Sequence, residues 1–319
     1  MCLLPHSARI CFEGSRACRS SETGLPSLAK LLPAVDSEVI ARARHTGKFL
    51  DDTKFTFDEL LDELEAYRAA SRSEFMGNAV RGARWLESDL GLYSARGQLI
   101  AATIPILYRS GLPASTPFET VGRQLHDVAR EQGGILRVLA AAAGESPTIA
   151  MTIDYSPLGR LRLADRRTER YFRRRYEREF SLTSKLALLT LEGDLGTVAQ
   201  VIKATESKHR EAAFRAKLIS LFHIVRSLDK LVKRFPVHGR QSGRVQSLLT
   251  GPAIIFKQEP YRRLRNLSMH YLVRGAAPDL TPEKQMFGVT DSLVGEPLDQ
   301  VDARLNSIAD QCSDLFAHW

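Results

Sequence analysis

The sequence holds few of the groups that announce a chemistry. Its four cysteines, Cys2, Cys11, Cys18 and Cys312, include no pair at C-x2-C or C-x4-C spacing, and no histidine stands at zinc-finger distance from them. That excludes a cysteine-based zinc module, so no metal is expected. Three of the four fall in the first eighteen residues, which is no disulfide framework and points to a reducing, cytoplasmic compartment. No run approaches the eighteen or more apolar residues of a membrane span. The best stretch, Leu99 to Leu107, ends in Tyr108-Arg109, so no membrane partner is expected. Gly-x-Ser-x-Gly, zincin, kinase, P-loop and dinucleotide fingerprints are all missing, and no cofactor is expected. Residues 1–35 have too weak an apolar run for a secretory signal, and a disordered segment is expected there.

What is present is ordinary for a folded protein. Hydrophobic residues make up 44% of the 319 and charged residues 26%, enough for a packed core in one large domain or two smaller ones. The net charge is +8, from 45 Lys plus Arg against 37 Asp plus Glu, and arginine dominates the excess. Guanidinium groups make two-pronged contacts to phosphate, which favours an anionic partner such as nucleic acid.

Apolar spacing predicts a mainly α protein. Phe57, Leu60, Leu61, Leu64 and Tyr67 recur at three- and four-residue steps after a helix start at Thr56-Phe-Asp-Glu59. Glycines 77, 82, 91 and 97 interrupt any helix over 77–110, and residues 112–117 read as a loop. Phe118 to Leu139 reads as helix broken near Gly133-Gly134, and 147–163 alternates like a strand. The second half is more regular. Phe214, Leu218, Leu221, Phe222, Val225, Leu228 and Val232 stripe a long helix from about 204 to 235, ended by Pro236. A polar loop is expected over 237–251. The next helix opens at Thr250-Gly-Pro252. Leu298, Val301, Leu305, Ile308, Cys312, Leu315 and Phe316 form the seam of a last helix, in which Cys312 is a buried, inert thiol. With Leu182 to Ala204 as lead-in, these make an antiparallel bundle over 181–319, preceded by a mostly helical domain of unknown type over 36–180.

One segment carries chemistry. In Tyr261-Arg-Arg-Leu-Arg-Asn-Leu-Ser-Met-His-Tyr271, Arg265 precedes His270 by five residues and Asn266 follows the arginine directly. Of eight histidines, only His270 has an arginine five to seven residues before it. On an ideal helix five residues turn about 500°, which leaves the two side chains roughly 140° apart. They do not converge on one helix without a distortion, such as Pro260 at the helix start, or a second copy of the chain.

This Arg-Asn-x3-His pattern on a late helix of a bundle resembles the signature of HEPN domains, the helical domains of many prokaryotic ribonuclease toxins and defence proteins. The resemblance covers the C-terminal 120 to 140 residues or so. It implies metal-independent cleavage of RNA. His270 would serve as general acid or base, Arg265 would hold the scissile phosphate, and Asn266 would orient the histidine or touch phosphate. It also implies a homodimer with a composite site, and a toxin or antiphage role with an antitoxin or regulatory partner. Arg262, Arg263, Lys257, Ser268 and Tyr271 are candidate RNA contacts, although for any one of them taken singly a solvated basic face is the favoured reading. The alternative within the same resemblance is a catalytically silent domain that binds RNA, nucleotide or a partner protein.

Other segments are weaker. The stretch Arg160 to Arg178 interleaves arginine with Tyr171, Phe172 and Tyr176, as an RNA-binding surface does. Glu169, Glu177 and Glu179 stand ready to neutralise it along a helix, which favours a structural role. Residues 239–244 (GRQSGR) read as an interhelical loop. His209, His223 and the His126-Asp127 pair receive no role.

Overall fold

The apolar stripes of the second half fold as their spacing predicts. The computed structural model describes residues 3–20, 34–142, 159–206, 209–235, 239–270 and 285–319. The α-helices longer than three residues are α1 (Leu3–Ser20), α2 (Ala34–Thr46), α3 (Phe57–Phe75), α4 (Thr103–Ser110), α5 (Phe118–Ala142), α6 (Thr168–Phe172), α7 (Leu182–Gly196), α8 (Arg210–Arg234), α9 (Gly239–Thr250), α10 (Glu259–His270), α11 (Gln285–Val294) and α12 (Leu298–Ala317). Every residue of the seam expected on the last helix is buried in α12, Cys312 included, and burial pushes that thiol up to about 12. Six of the seven stripe residues on α8 are buried, and Val232 packs against the core from its edge. Thr56 and Glu59 close a reciprocal cap at the start of α3. Among the described residues no helix is long and apolar enough to cross a membrane.

The axis of the molecule is α7. Its apolar residues point in all directions, and nearly every side chain from Ser184 to Gly196 is buried. It packs against α3, α8, α12 and strand β2 (Gln98–Ala102). The approach to β2 is close: a Cβ at Gly196 would meet the carbonyl oxygen of Leu99 at 1.8 Å. The core is continuous from Phe49 through Tyr108, Leu188 and Leu228 to Phe316. The two halves expected to part near residue 180 therefore share one set of buried side chains.

A small antiparallel sheet interrupts the helices, in the order β2–β1–β3, with β1 at Leu90–Ala95, β2 at Gln98–Ala102 and β3 at Arg162–Arg166. The β1–β2 connection is a two-residue turn in which Arg96 (φ 49°) and Gly97 (φ 81°) are both left-handed. That conformation matches the twist of the paired strands. The glycines that interrupt a helical reading of 77–110 are thus partly hairpin punctuation.

Four further expectations need correction. Residues 3–20 are a helix: Ala8 and Cys11 of α1 are buried in a second core with Val39, Ile40, Ala43, Leu112, Val128 and Ile135. Arg9, Glu13 and Ser15 are buried on the same helix, and these polar residues break up the apolar pattern that would have marked it. The polar stretch after residue 237 holds α9, anchored by buried Val245, Leu248 and Leu249 at helical spacing and tied to α12 by Arg244–Asp314 at 2.6 Å. Helix α5 runs through Gly133 and Gly134, because buried Val128 and Ile135 on either side hold it to α1 and α2. The arginine-rich stretch is strand β3 followed by a five-residue helix, α6, and is not one long helix. Residues 147–158 of the expected strand lie outside the described residues.

Candidate functional site

Helix α10 starts where Pro260, with no amide hydrogen to donate, is tolerated in the first turn. Tyr261, Leu264, Ser268 and Met269 form its buried side, packed against α8 and α11. Glu259, Arg262, Arg263 and Asn266 are exposed, and His270 shares their face. The helix is regular over the motif, so Arg265 and His270 diverge as their spacing requires.

Arg265 turns inward. Its guanidinium carbon lies 3.9 Å from the centre of the Phe222 ring, a cation–π contact that fixes its plane. One terminal nitrogen, Nη1, donates to Asn266 Oδ1 at 2.8 Å and reaches Met269 Sδ at 3.3 Å. The other, Nη2, stands 3.9 Å from Asp51 Oδ2. Nε is buried with no hydrogen-bond partner. Burial pushes this guanidinium below its ordinary value; Asp51 opposes the shift, and Arg226 and Arg262 add to it. Asn266 therefore orients the arginine, and no hydrogen bond joins it to the histidine among the described residues.

The cleft beside Arg265 has a volume of about 430 Å³. Lys48, Arg226, Lys257, Arg262 and Arg265 line it, against one carboxylate, Asp51. Five cations against a single lining carboxylate leave this partly desolvated space net positive. Lys257 and Arg262, both expected contacts, stand here; Lys257 is 4.0 Å from Asp229 and Arg262 3.4 Å from Glu259.

Asp51 reaches the cleft on a 3-10 turn, Phe49–Asp51, that packs against α8. Phe49 opens the turn at φ 50°, a left-handed conformation that bulky side chains seldom adopt. Asp51 Oδ2 accepts from His223 Nδ1 at 3.1 Å, and Oδ1 is 3.4 Å from Arg226 Nε. Burial alone would raise the Asp51 carboxyl. The His223 hydrogen bond and the nearby guanidinium groups outweigh it and hold the carboxyl below the usual range. Burial brings His223 down to about 4 despite the Asp51 hydrogen bond. A charged carboxylate only accepts, so the neutral ring carries its proton on Nδ1. Nothing in the sequence joins Asp51 to His223, which are 172 positions apart.

His270 lies elsewhere. It does not line the Arg265 cleft, and its Nδ1 stands 3.3 Å from Glu13 Oε2 on α1. Glu13 is also bound by Arg44 Nη1 at 2.5 Å. Burial opposes ionisation of Glu13, but His270 and Arg44 together hold its carboxyl below the ordinary value. Ser268 is buried and donates its hydroxyl to the Leu264 carbonyl at 2.8 Å, which removes it from any surface. Arg263 is exposed on the open face, and Tyr271 lies outside the described residues.

Among the described residues no group of three His, Cys, Asp or Glu side chains is placed to hold a metal ion. Compared with protein-family models, curated proteins and solved structures, the chain gives no match.

Proposed function

We propose that the protein is a metal-independent endoribonuclease of HEPN type, with an RNA phosphate held in the Arg265 cleft. The observation that carries this reading is the setting of Arg265: oriented by Asn266 and Phe222, and surrounded by four more cations. In such a reaction the 2′-hydroxyl of RNA attacks the neighbouring phosphorus. The P–O5′ bond breaks, and a 2′,3′-cyclic phosphate remains. Arg265 stabilises the charge that builds on the phosphoryl oxygens. His270 takes the 2′-hydroxyl proton or supplies one to the departing oxygen. DNA has no 2′-hydroxyl and is not a substrate.

Within one chain His270 stands outside the cleft. The open face of α10, with Arg262, Arg263, Asn266 and His270 along it, is the surface through which a second copy would bring its own His270 to the first copy's Arg265. A toxin or antiphage role in the cell follows only from the resemblance.

A second reading has its own support. The Glu13–His270 pair favours a silent domain that binds RNA or nucleotide in the cationic cleft without cutting it. One experiment separates the two. Purified wild type, Arg265→Ala and His270→Ala are incubated with mixed RNA in EDTA. Cleavage by the wild type, with cyclic phosphate ends and a loss of at least about 100-fold in each variant, supports the ribonuclease. RNA binding without cleavage supports the silent domain. Equal cleavage by all three proteins overturns the site.

A further inference from the structure

A second basic cleft lies on the far side of the sequence from the motif. Trp85 is next to last in the 3-10 turn Arg81–Leu86 and is 75% exposed, although indole is a costly side chain to leave in water. It borders a cleft of about 560 Å³ whose wall is the arginine-rich stretch: Arg166, Arg167, Arg170, Arg174 and Arg175. That volume lies within the range of small-ligand sites, roughly 300–1,000 Å³.

Arg166 donates to the Asp165 carbonyl at 2.9 Å, and the other four arginines divide into two kinds. Arg167 and Arg175 are held in place: Arg167 Nε donates to the Glu87 carbonyl at 3.0 Å, and Arg175 binds Glu192 at 2.7 Å and the Phe316 carbonyl at 2.8 Å. Arg170 and Arg174 are exposed and make no ion pair among the described residues. Glu87 and Asp165 also line the cleft, against the five arginines. Two of the three acidic residues expected to neutralise this stretch are engaged elsewhere. Glu169 pairs with Arg72 on α3, and Glu177 accepts from the Gln241 amide at 3.4 Å. A five-residue helix followed by Tyr176 at φ 63° breaks the spacing that would have let acids and arginines pair along one face.

An open indole beside unpaired guanidinium groups fits one ligand chemistry: an unpaired base stacked on the ring, with its phosphates on the arginines. A duplex hides the faces of its bases and offers nothing to the indole. We infer that the Trp85 cleft binds single-stranded nucleic acid, with Trp85 as the stacking platform and Arg170 and Arg174 as phosphate contacts. The inference does not depend on the Arg265 cleft, with which this one shares no lining residue.

The chain has two tryptophans, so a Trp319→Phe variant reports on Trp85 alone. Arg265→Ala and His270→Ala are added so that no probe is cut. A short mixed-sequence oligonucleotide, as RNA and as DNA, is titrated against the indole fluorescence. Saturable quenching is expected. Arg170→Ala with Arg174→Ala should weaken binding at least about fivefold and flatten the log–log salt dependence by about 1.4. The urea midpoint should stay unchanged. Trp85→Ala, followed with a labelled oligonucleotide, should weaken binding to a similar extent. Quenching by RNA alone or by RNA and DNA alike supports the site and names its source. No quenching, quenching unaffected by loss of the two arginines, or a preference for duplex overturns it. So does quenching by phosphatidylserine vesicles with none by oligonucleotides, which makes the patch a membrane surface.

Discussion

His270 Nδ1 stands 3.3 Å from Glu13 Oε2, and this contact joins the first described helix to the end of the motif helix across 257 positions. The carboxylate is buried and its second ligand is Arg44, so His270 is the more exposed and more easily released partner. If His270 serves a second copy's cleft, this contact holds it back. Glu13→Gln is therefore expected to raise the cleavage rate a few-fold at fixed protein concentration, with the fold checked by its urea midpoint. An unchanged or lower rate in a folded variant would show that the pair does not restrain the histidine.

Acid should weaken the fold before the carboxylates titrate. An unfolded histidine protonates near 6.5, but burial brings His223 to about 4 and His6 to about 3. As pH falls through 6.5 the unfolded state takes up protons first. The stability from neutral His223 is present above about 6.5 and is lost progressively down to about 4. His6 extends the loss to about 3. The contribution of His223 alone is on the order of 3 kcal/mol. Urea unfolding between about pH 7.5 and pH 5 should show stability falling with acid, and His223→Gln should flatten the slope. A flat wild-type profile would contradict the burial of these rings.

Much of the helical architecture was legible in the sequence because period and burial agree there. The α8 and α12 stripes and the Thr56–Glu59 cap involve residues three or four apart, and such contacts are local. The sheet was not legible, because β1 and β3 pair across about seventy positions and the hairpin turn carries Arg96 where asparagine or aspartate is the usual signal. At the site, the 140° divergence of Arg265 and His270 followed from helix geometry. The cleft did not, because Lys48, Asp51, Phe222 and Arg226 come from other elements and only packing brings them to Arg265.

Arg109 and Asp194 form an ion pair buried on both sides, between α4 and α7. Burial pushes the Asp194 carboxyl up, and Arg109 opposes the shift. Asp194→Ala strands a guanidinium in the core and should cost roughly 3–5 kcal/mol. The double variant Arg109→Leu, Asp194→Leu removes both charges and should recover part of that loss. Denaturant unfolding measures both, and a double variant less stable than Asp194→Ala would show that the pair itself contributes net stability.

Gly196 lets α7 approach β2. A methyl group there would meet the Leu99 carbonyl oxygen at 1.8 Å, a backbone atom with little room to yield. In an open helix alanine is worth about 1 kcal/mol more than glycine. Here Gly196→Ala should instead destabilise by about 2 kcal/mol or more. A stabilised variant in thermal unfolding would show that the strand sits farther from the helix.

On the proposed function, Arg265 and His270 act together in RNA cleavage although one chain holds them apart. The most direct test is to mix two inactive variants, Arg265→Ala and His270→Ala, after brief denaturation and joint refolding, and to measure RNA cleavage in EDTA. A composite site leaves each mixed dimer one intact Arg265 facing one intact His270. With half of the dimers mixed and one site of two intact, activity should return to about a quarter of wild type. An active wild type beside a mixture as silent as either variant alone would contradict the account.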